Sequence, residues 1–171
     1  MEPSNREIWK SIDGFANYEV SSLGRVRNAT TDKMLKPSAS HGGYVKVRLS
    51  KHGAATNFVI HRLVANEFID NPSNKACVDH IDGDRTNNCV TNLRYATKSE
   101  NGMNQKKQTN NTSIYKGVYF DKRSSKWHAR VRLSGVRTDL GYFDNEEEAA
   151  QAYNKAATRM FGEFAKLNVI T

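Results

Sequence analysis

Residues 76–105, ACVDHIDGDRTNNCVTNLRYATKSENGMNQ, decide how this chain is read. Val78 to Ile81 is strand-like, and Asp82 to Asn88 is dense in turn-forming residues. The chain resumes as a strand from Val90 to Tyr95, and Thr97 or Ser99 then caps a helix beginning near Glu100. Strand, loop, strand and helix therefore follow one another within some thirty residues. Asp79 and His80 stand just before the turn, Asn92 on the returning strand and Asn101 on the helix. A carboxylate, an imidazole titrating near neutral pH and an amide oxygen are the groups a metal-assisted hydrolysis uses. Mg²⁺ takes only one or two oxygen ligands from protein, so a large cluster of carboxylates is not required. The Asn92 amide can donate to one strand and accept from the other, holding the loop and orienting the base. A regular strand would point the adjacent Asp79 and His80 to opposite faces, and the turn-rich sequence after them suggests a distorted strand end. Asp82 and Asp84 read as turn residues. An EF-hand is excluded, since the twelfth position counted from Asp79 is Val90 and not glutamate.

Upstream, His61 to Ile69 has helical spacing, with Leu63, Val64, Phe68 and Ile69 as its buried stripe and Asn71-Pro72 as its stop. His61 reads as a helix-start or core histidine rather than a second base. The segment IWKSIDGFANYEVSSLGRVRN (8–28) alternates apolar and polar residues around turns at Gly14 and Gly24. Tyr44 to Leu49 also alternates, with Lys46 and Arg48 on one face and Val45, Val47 and Leu49 on the other. Both stretches read as short antiparallel strands.

Downstream, QKKQTNNTS (105–113) is wholly polar and reads as a linker. Tyr115 to Phe120, Lys126 to Leu133 and Val136 to Phe143 then read as three strands. In the second, Trp127, Ala129, Val131 and Leu133 face one way, and Lys126, His128, Arg130 and Arg132 the other. Asp144 and Glu147 stand in capping-box positions for a helix whose apolar stripe is Ala149, Ala150, Tyr153, Ala156, Ala157 and Met160. No aromatic-rich exposed sheet is evident, which argues against an RNA-binding protein.

The net charge is +8 with an isoelectric point near 9.5, pointing to a polyanionic partner. The distribution sharpens this: 1–60 carry +4, 61–104 carry −1, 105–113 carry +2 and 114–171 carry +3. Within the last stretch, the sheet region 114–143 carries +5 and the helix and tail −2, so the sheet faces the polyanion. The slightly acidic middle is where a cation would find ligands. Two cysteines, Cys77 and Cys89, read as buried thiols in a reducing compartment. A zinc site from Cys77, His80 and Cys89, with His61 as fourth ligand, is the competing use of these residues. The start MEPSNREIWK lacks the basic and apolar regions of a signal peptide, and no run is long enough to span a membrane. The chain therefore reads as intracellular.

Residues 61–105, from HRLVANEF to ENGMNQ, resemble the HNH nuclease core of phage and intron homing endonucleases. Val-Asp-His, Asn-Leu-Arg and Ser-Glu-Asn fall at that family's spacing. The resemblance implies a ββα-metal fold over 57–104, with His80 as general base and Asn92 as the motif's central Asn. It also implies Asp79 and Asn101 as ligands of Mg²⁺ or Mn²⁺; Asn101 stands where other HNH enzymes carry histidine. WKSIDGFANYEVSSLGRVR (9–27) resembles the NUMOD-type segment that precedes such cores, which makes 1–56 a β-rich DNA-binding module. Residues 114–171 resemble an Apetala-type (ethylene-response-factor-like) domain, a three-stranded antiparallel sheet packed on one helix. Tyr119 and Asp121 depart from that family's usual arginines. Together these resemblances imply an α+β protein that cuts double-stranded DNA, leaving 5′-phosphate and 3′-hydroxyl ends. Its contacts would be Arg25, Arg27, Lys46, Arg48, Lys116, Lys126, Arg130, Arg132 and Arg137. They imply further a monomer with no membrane or small-molecule partner, in the bacterial cytoplasm if phage-encoded. The rival reading is a non-cutting, sequence-specific transcriptional regulator.

Overall fold

The computed structural model describes residues 6–107 and 112–170. The chain divides into two compact units, Met1–Ala96 and Thr97–Thr171. Both are α+β, with small antiparallel sheets and short helices.

The first unit opens with β1 (Trp9–Ile12), β2 (Phe15–Ser21) and β3 (Val26–Asn28), paired in that order. Gly14 and Gly24 both take positive φ at the turns between them. Next come β4 (Ser38–Ala39), β5 (Val45–Lys51) and β6 (Ala54–Val59). Lys51 pairs with Ala54, and the two residues between them, His52 and Gly53, both have positive φ. That is the turn whose twist matches a two-residue hairpin. The alternation expected in β5 holds, with Val47 and Leu49 buried and Arg48 exposed.

Helix α1 (Ile60–Phe68) follows β6 directly and buries Ile60, His61, Leu63, Val64 and Ala65. The buried stripe thus begins earlier than expected. Phe68 is only partly buried, and Ile69 lies beyond the helix in extended conformation. The helix packs over the strands of this unit, and Val20, Leu49, Val64 and Ala65 are fully buried in the shared core.

Strand β7 (Cys77–His80) pairs with β8 (Leu93–Ala96). Their register is unbroken from Cys77 opposite Ala96 to His80 opposite Leu93. The distorted strand end expected at Asp79 and His80 is therefore absent. A second difference lies on the returning strand, where Val90–Asn92 form a 3-10 turn before β8 begins. The Val90 amide donates to the Ser22 carbonyl at 2.8 Å, which diverts it from the β7 ladder.

The second unit contains α2 (Lys98–Met103), β9 (Val118–Asp121), β10 (Lys126–Leu133), β11 (Val136–Phe143) and α3 (Glu146–Phe161). Thr97 caps α2 through a full capping box with Glu100. The three strands form one sheet with β10 central, and α3 covers one face through Ala149, Ala150, Tyr153 and Ala157.

Three expectations shift here. Tyr115–Gly117 are not strand; the Tyr115 amide donates to Ser113 Oγ and the Lys116 amide to Asn168 Oδ1. The cap of α3 is Asn145, whose side chain accepts from the Glu148 amide at 2.7 Å, while Asp144 pairs with Lys126 at 3.1 Å. Of the expected linker, 108–111 lie outside the described residues. At its far end Ser113 is only 1% exposed and bonds Glu146, so that end is packed structure.

Candidate nuclease site and DNA-facing surfaces

In the β7–β8 hairpin, Asp79 and His80 are 4% and 5% exposed, an expensive place for both unless each is held. Asp79 Oδ2 accepts from Arg94 Nε at 2.9 Å and from Arg94 Nη2 at 2.8 Å, across the strand pair. His80 Nε2 lies 3.2 Å from Asn88 Oδ1. Asn88 Nδ2 donates to the Thr86 carbonyl at 3.1 Å, and this fixes which end of the amide faces the histidine. The amide oxygen can only accept, so in this contact the hydrogen lies on His80 Nε2.

Asn92 bonds the turn that follows β7. Its oxygen accepts from the Asp82 amide at 3.1 Å, and its nitrogen donates to Asp82 Oδ1 at 3.0 Å and to the Asn87 carbonyl at 2.9 Å. These contacts go to the turn, not to the two strands. Asp82 and Asp84 serve the turn too, with Asp82 Oδ1 accepting from the Asp84 amide and Asp84 Oδ1 from Thr86. Burial works against the charge of Asp82, yet the bonds from Asp84, Asn87 and Asn92 hold its pKa below the ordinary value.

His61 lies beside His80 with ring centroids 5.1 Å apart, edge to face, and the Tyr44 ring packs on it at 4.8 Å. Burial, then the charges of His80 and Arg62, push the His61 imidazole down to about 4. Its Nδ1 is buried without a hydrogen-bond partner. It is a neutral core histidine, as the sequence implied. Among the described residues, no three His, Cys, Asp or Glu side chains converge on a possible metal site, and Cys77 and Cys89 are free thiols. The zinc reading is left without a ligand set. Asn101 lies in the second unit, on α2.

Sequence reasoning missed Arg94 and Asn88. Arg94 was hidden because its pairing with Asp79 depends on hairpin register. Asn88 was hidden because an Asn in a turn-rich loop looks like a turn residue.

The basic candidates differ in availability. Arg27 is ion-paired to Glu19 at 2.7 Å and Asp32 at 3.0 Å, and Arg25 pairs with Glu7. Lys46 is half-buried. Lys116 Nζ bonds the Met103 and Gln105 carbonyls, and burial, then Lys166, pushes its pKa down to about 8. Arg48, Arg130, Arg132 and Arg137 are exposed. Lys98, Lys116, Arg130, Arg132 and Arg137 line a groove of about 730 Å³ in the second unit, whose lining contains no carboxylate. Arg132 and Arg137 sit directly opposite each other on β10 and β11. Like charges so placed repel unless an anion lies between them.

The face of this sheet away from α3 differs from expectation. His128 is 5% exposed, because Tyr142 stacks on it at 4.3 Å and the Tyr119 hydroxyl bonds its Nδ1. Asp139 Oδ1 lies 3.2 Å from His128 Nε2 but off hydrogen-bonding geometry. Arg130 lies over the Tyr119 ring at 4.5 Å. An aromatic patch is therefore present where none was evident from the sequence.

The β7–β8 hairpin thus carries a buried Asp-His pair. The chain matches the HNH endonuclease model over residues 59–103 and the NUMOD4 motif over 7–50. It is 31% identical over 140 residues, 81% of this chain and 79% of the relative, to YosQ, an SPbeta prophage-derived protein of Bacillus subtilis named for an HNH homing endonuclease. It belongs to the HNH endonuclease family. DNA endonuclease I-HmuI of Bacillus phage SP01 is 40% identical over 98 residues, 57% of this chain and 56% of that one. A solved structure of I-HmuI, concerned with DNA binding and cleavage by that enzyme, superposes with a TM-score of 0.54 at 39% identity, covering 57% of each chain. Residues of this chain also match an AP2-like ethylene-responsive transcription factor of Arabidopsis thaliana at 36% over 59 residues, 34% of this chain and 12% of the factor. The chain spans from a quarter to just over half the length of the first curated relatives it matches, 25%, 28% and 56%.

Proposed function

We propose that the chain is a homing-type endonuclease that hydrolyses phosphodiester bonds of double-stranded DNA. The observation that carries this reading is the buried Asp79–His80 pair of β7, its carboxylate gripped by Arg94 and its imidazole by Asn88. His80 Nδ1 takes the proton of the attacking water as that oxygen bonds to phosphorus; the bond to the 3′ oxygen breaks and that oxygen takes a proton from solvent, leaving 5′-phosphate and 3′-hydroxyl ends. Asn92 keeps the loop closed under the base.

Asp79 and Asn101 offer a carboxylate and an amide oxygen, the hard donors that suit Mg²⁺, with Mn²⁺ as substitute. When bound there, the cation supplies charge stabilisation at the phosphate and leaving oxygen. Arg25, Arg27, Lys46 and Arg48 in the first unit, and Lys116, Lys126, Arg130, Arg132 and Arg137 in the second, supply contacts to DNA. The four exposed arginines serve most directly, and the Apetala-like sheet of residues 114–171 reads sequence. The protein works as a monomer inside the cell, in the bacterial cytoplasm if phage-encoded.

The test is cleavage of a candidate intronless locus, with both strands' ends mapped. The wild type cuts with Mg²⁺ or Mn²⁺ and stops with EDTA. His80→Ala cuts about 10²–10⁴-fold more slowly at unchanged affinity. Specific binding without any cutting would favour the regulator instead, and rescue by zinc alone would remove the oxygen-ligand assignment.

A further inference from the structure

Asn88 takes and gives no proton in the chemistry just described, yet its side chain is placed as a support for the base would be. It is 6% exposed, in a loop whose neighbours Thr86 and Arg85 are open to solvent. Its amide is used at both ends, donating to the Thr86 carbonyl and accepting at His80 Nε2. Its backbone is pressed against the turn between β2 and β3. A Cβ on Gly24 would come within 2.6 Å of Asn88 Cβ and 3.0 Å of its carbonyl oxygen. One residue on, the Cys89 amide lies 3.4 Å from Asn87 Oδ1, and the Val90 amide is bound to Ser22. The N-terminal sheet thus fixes the position of Asn88, and Asn88 meets the imidazole.

We propose that Asn88 is a positioning residue that holds His80 in the Nε2–H tautomer and aims Nδ1 at its task, with Gly24 as the space that lets Asn88 reach it. This rests on the reading of His80 as general base. A loop asparagine serving only the turn would need neither burial nor the histidine contact. Turn chemistry here is already supplied by Asp82, Asp84, Asn87 and Asn92. A neutral imidazole has two tautomers, and a fixed acceptor at one nitrogen selects between them. Misaiming a reacting group by about 1 Å costs about 100-fold in rate.

The experiment uses the full chain. Asn88→Leu keeps the volume and removes the acceptor; Asn88→Asp restores an acceptor at the same reach. Single-turnover cleavage and DNA affinity are measured for each, and the His80 ring nitrogens are followed by NMR in protein without DNA. Expected are a fall of about 10–100-fold in cleavage for Asn88→Leu at unchanged affinity, and recovery of most of that loss in Asn88→Asp. The His80 spectrum should show the Nε2–H tautomer in the wild type and Asn88→Asp, and a mixture in Asn88→Leu. Gly24→Ala should move the same His80 resonances without touching the ring. Wild-type cleavage by Asn88→Leu, equal loss in both variants, or an Nδ1–H tautomer in the wild type would each overturn the proposal. If Asn88→Leu fails to fold, the wild-type, Asn88→Asp and Gly24→Ala spectra decide. If the wild type never cuts, the nuclease reading fails, while the spectra still settle whether Asn88 holds the ring.

Discussion

Arg94 illustrates how a partner makes a buried carboxylate tolerable. Asp79 is nearly sequestered, and Arg94 Nε and Nη2 both donate to its Oδ2. Truncating one member of a buried pair costs about 3–5 kcal/mol, because the other is left charged and unpaired. Arg94→Leu is expected to lose about that much, read from urea midpoints in EDTA, and adding Asp79→Asn should recover most of it. A loss below about 1 kcal/mol would mean that the pair contributes little. His61 gives a second expectation. Its folded pKa of about 4 lies below the ordinary 6.5, so the unfolded chain takes up a proton first as pH falls. Its stabilising contribution is complete above pH 6.5 and is lost on the way down to 4, a change of up to about 3 kcal/mol. His61→Phe should flatten that acid limb in denaturation curves taken across the window. Asp79 and His80 were singled out through the resemblance to the HNH core, because an Asp-His pair before a Gly turn means little alone. Arg94, fifteen positions from Asp79, was not, because nothing local states the register that brings it across.

At the scale of elements, strong periodicity was read correctly and boundaries were not always. β10 and β11 begin and end where alternation places them, and the turn between them uses Ser134 and Gly135 at positive φ. Errors occurred where a side chain replaced a backbone partner. Tyr115–Gly117 looked like strand, yet Ser113 and Asn168 take the Tyr115 and Lys116 amides. At the start of α3 two acceptable caps stand side by side in sequence, Asp144 and Asn145, and propensity does not choose between them. The fold uses Asn145, while Asp144 pairs with Lys126. Asn145→Ala should therefore cost about 1 kcal/mol, and Asp144→Ala less than half as much, measured by thermal or chemical unfolding. Equal losses would return the cap to Asp144. The aromatic patch on the outer sheet face was missed because Tyr119, His128 and Tyr142 come from three strands and meet only after pairing.

At the scale of the whole molecule, sequence motifs and folding units do not share boundaries. The first compact unit, Met1–Ala96, contains the NUMOD4 match and most of the HNH match, whereas Asn101 falls in the second. A fragment ending at Ala96 should unfold in one cooperative transition and bind DNA, yet fail to cut with Mg²⁺ for want of Asn101. Full cutting by that fragment would remove Asn101 from the ligand set. Deleting only 114–171 keeps both proposed ligands and should leave a nuclease that cuts weakly and at more sites. An unchanged site choice would deny the Apetala-like sheet its reading role. The glycine at position 24 carries a consequence for lineage. Because its missing side chain makes room for Asn88, the front sheet and the loop that follows β7 are fitted to each other. Shuffling that joins this nuclease hairpin to a foreign leading segment should survive only when the newcomer brings a turn equally bare at that spot. Chimeras built by exchanging residues 1–56 among relatives ought to sort by that one position before any question of target arises.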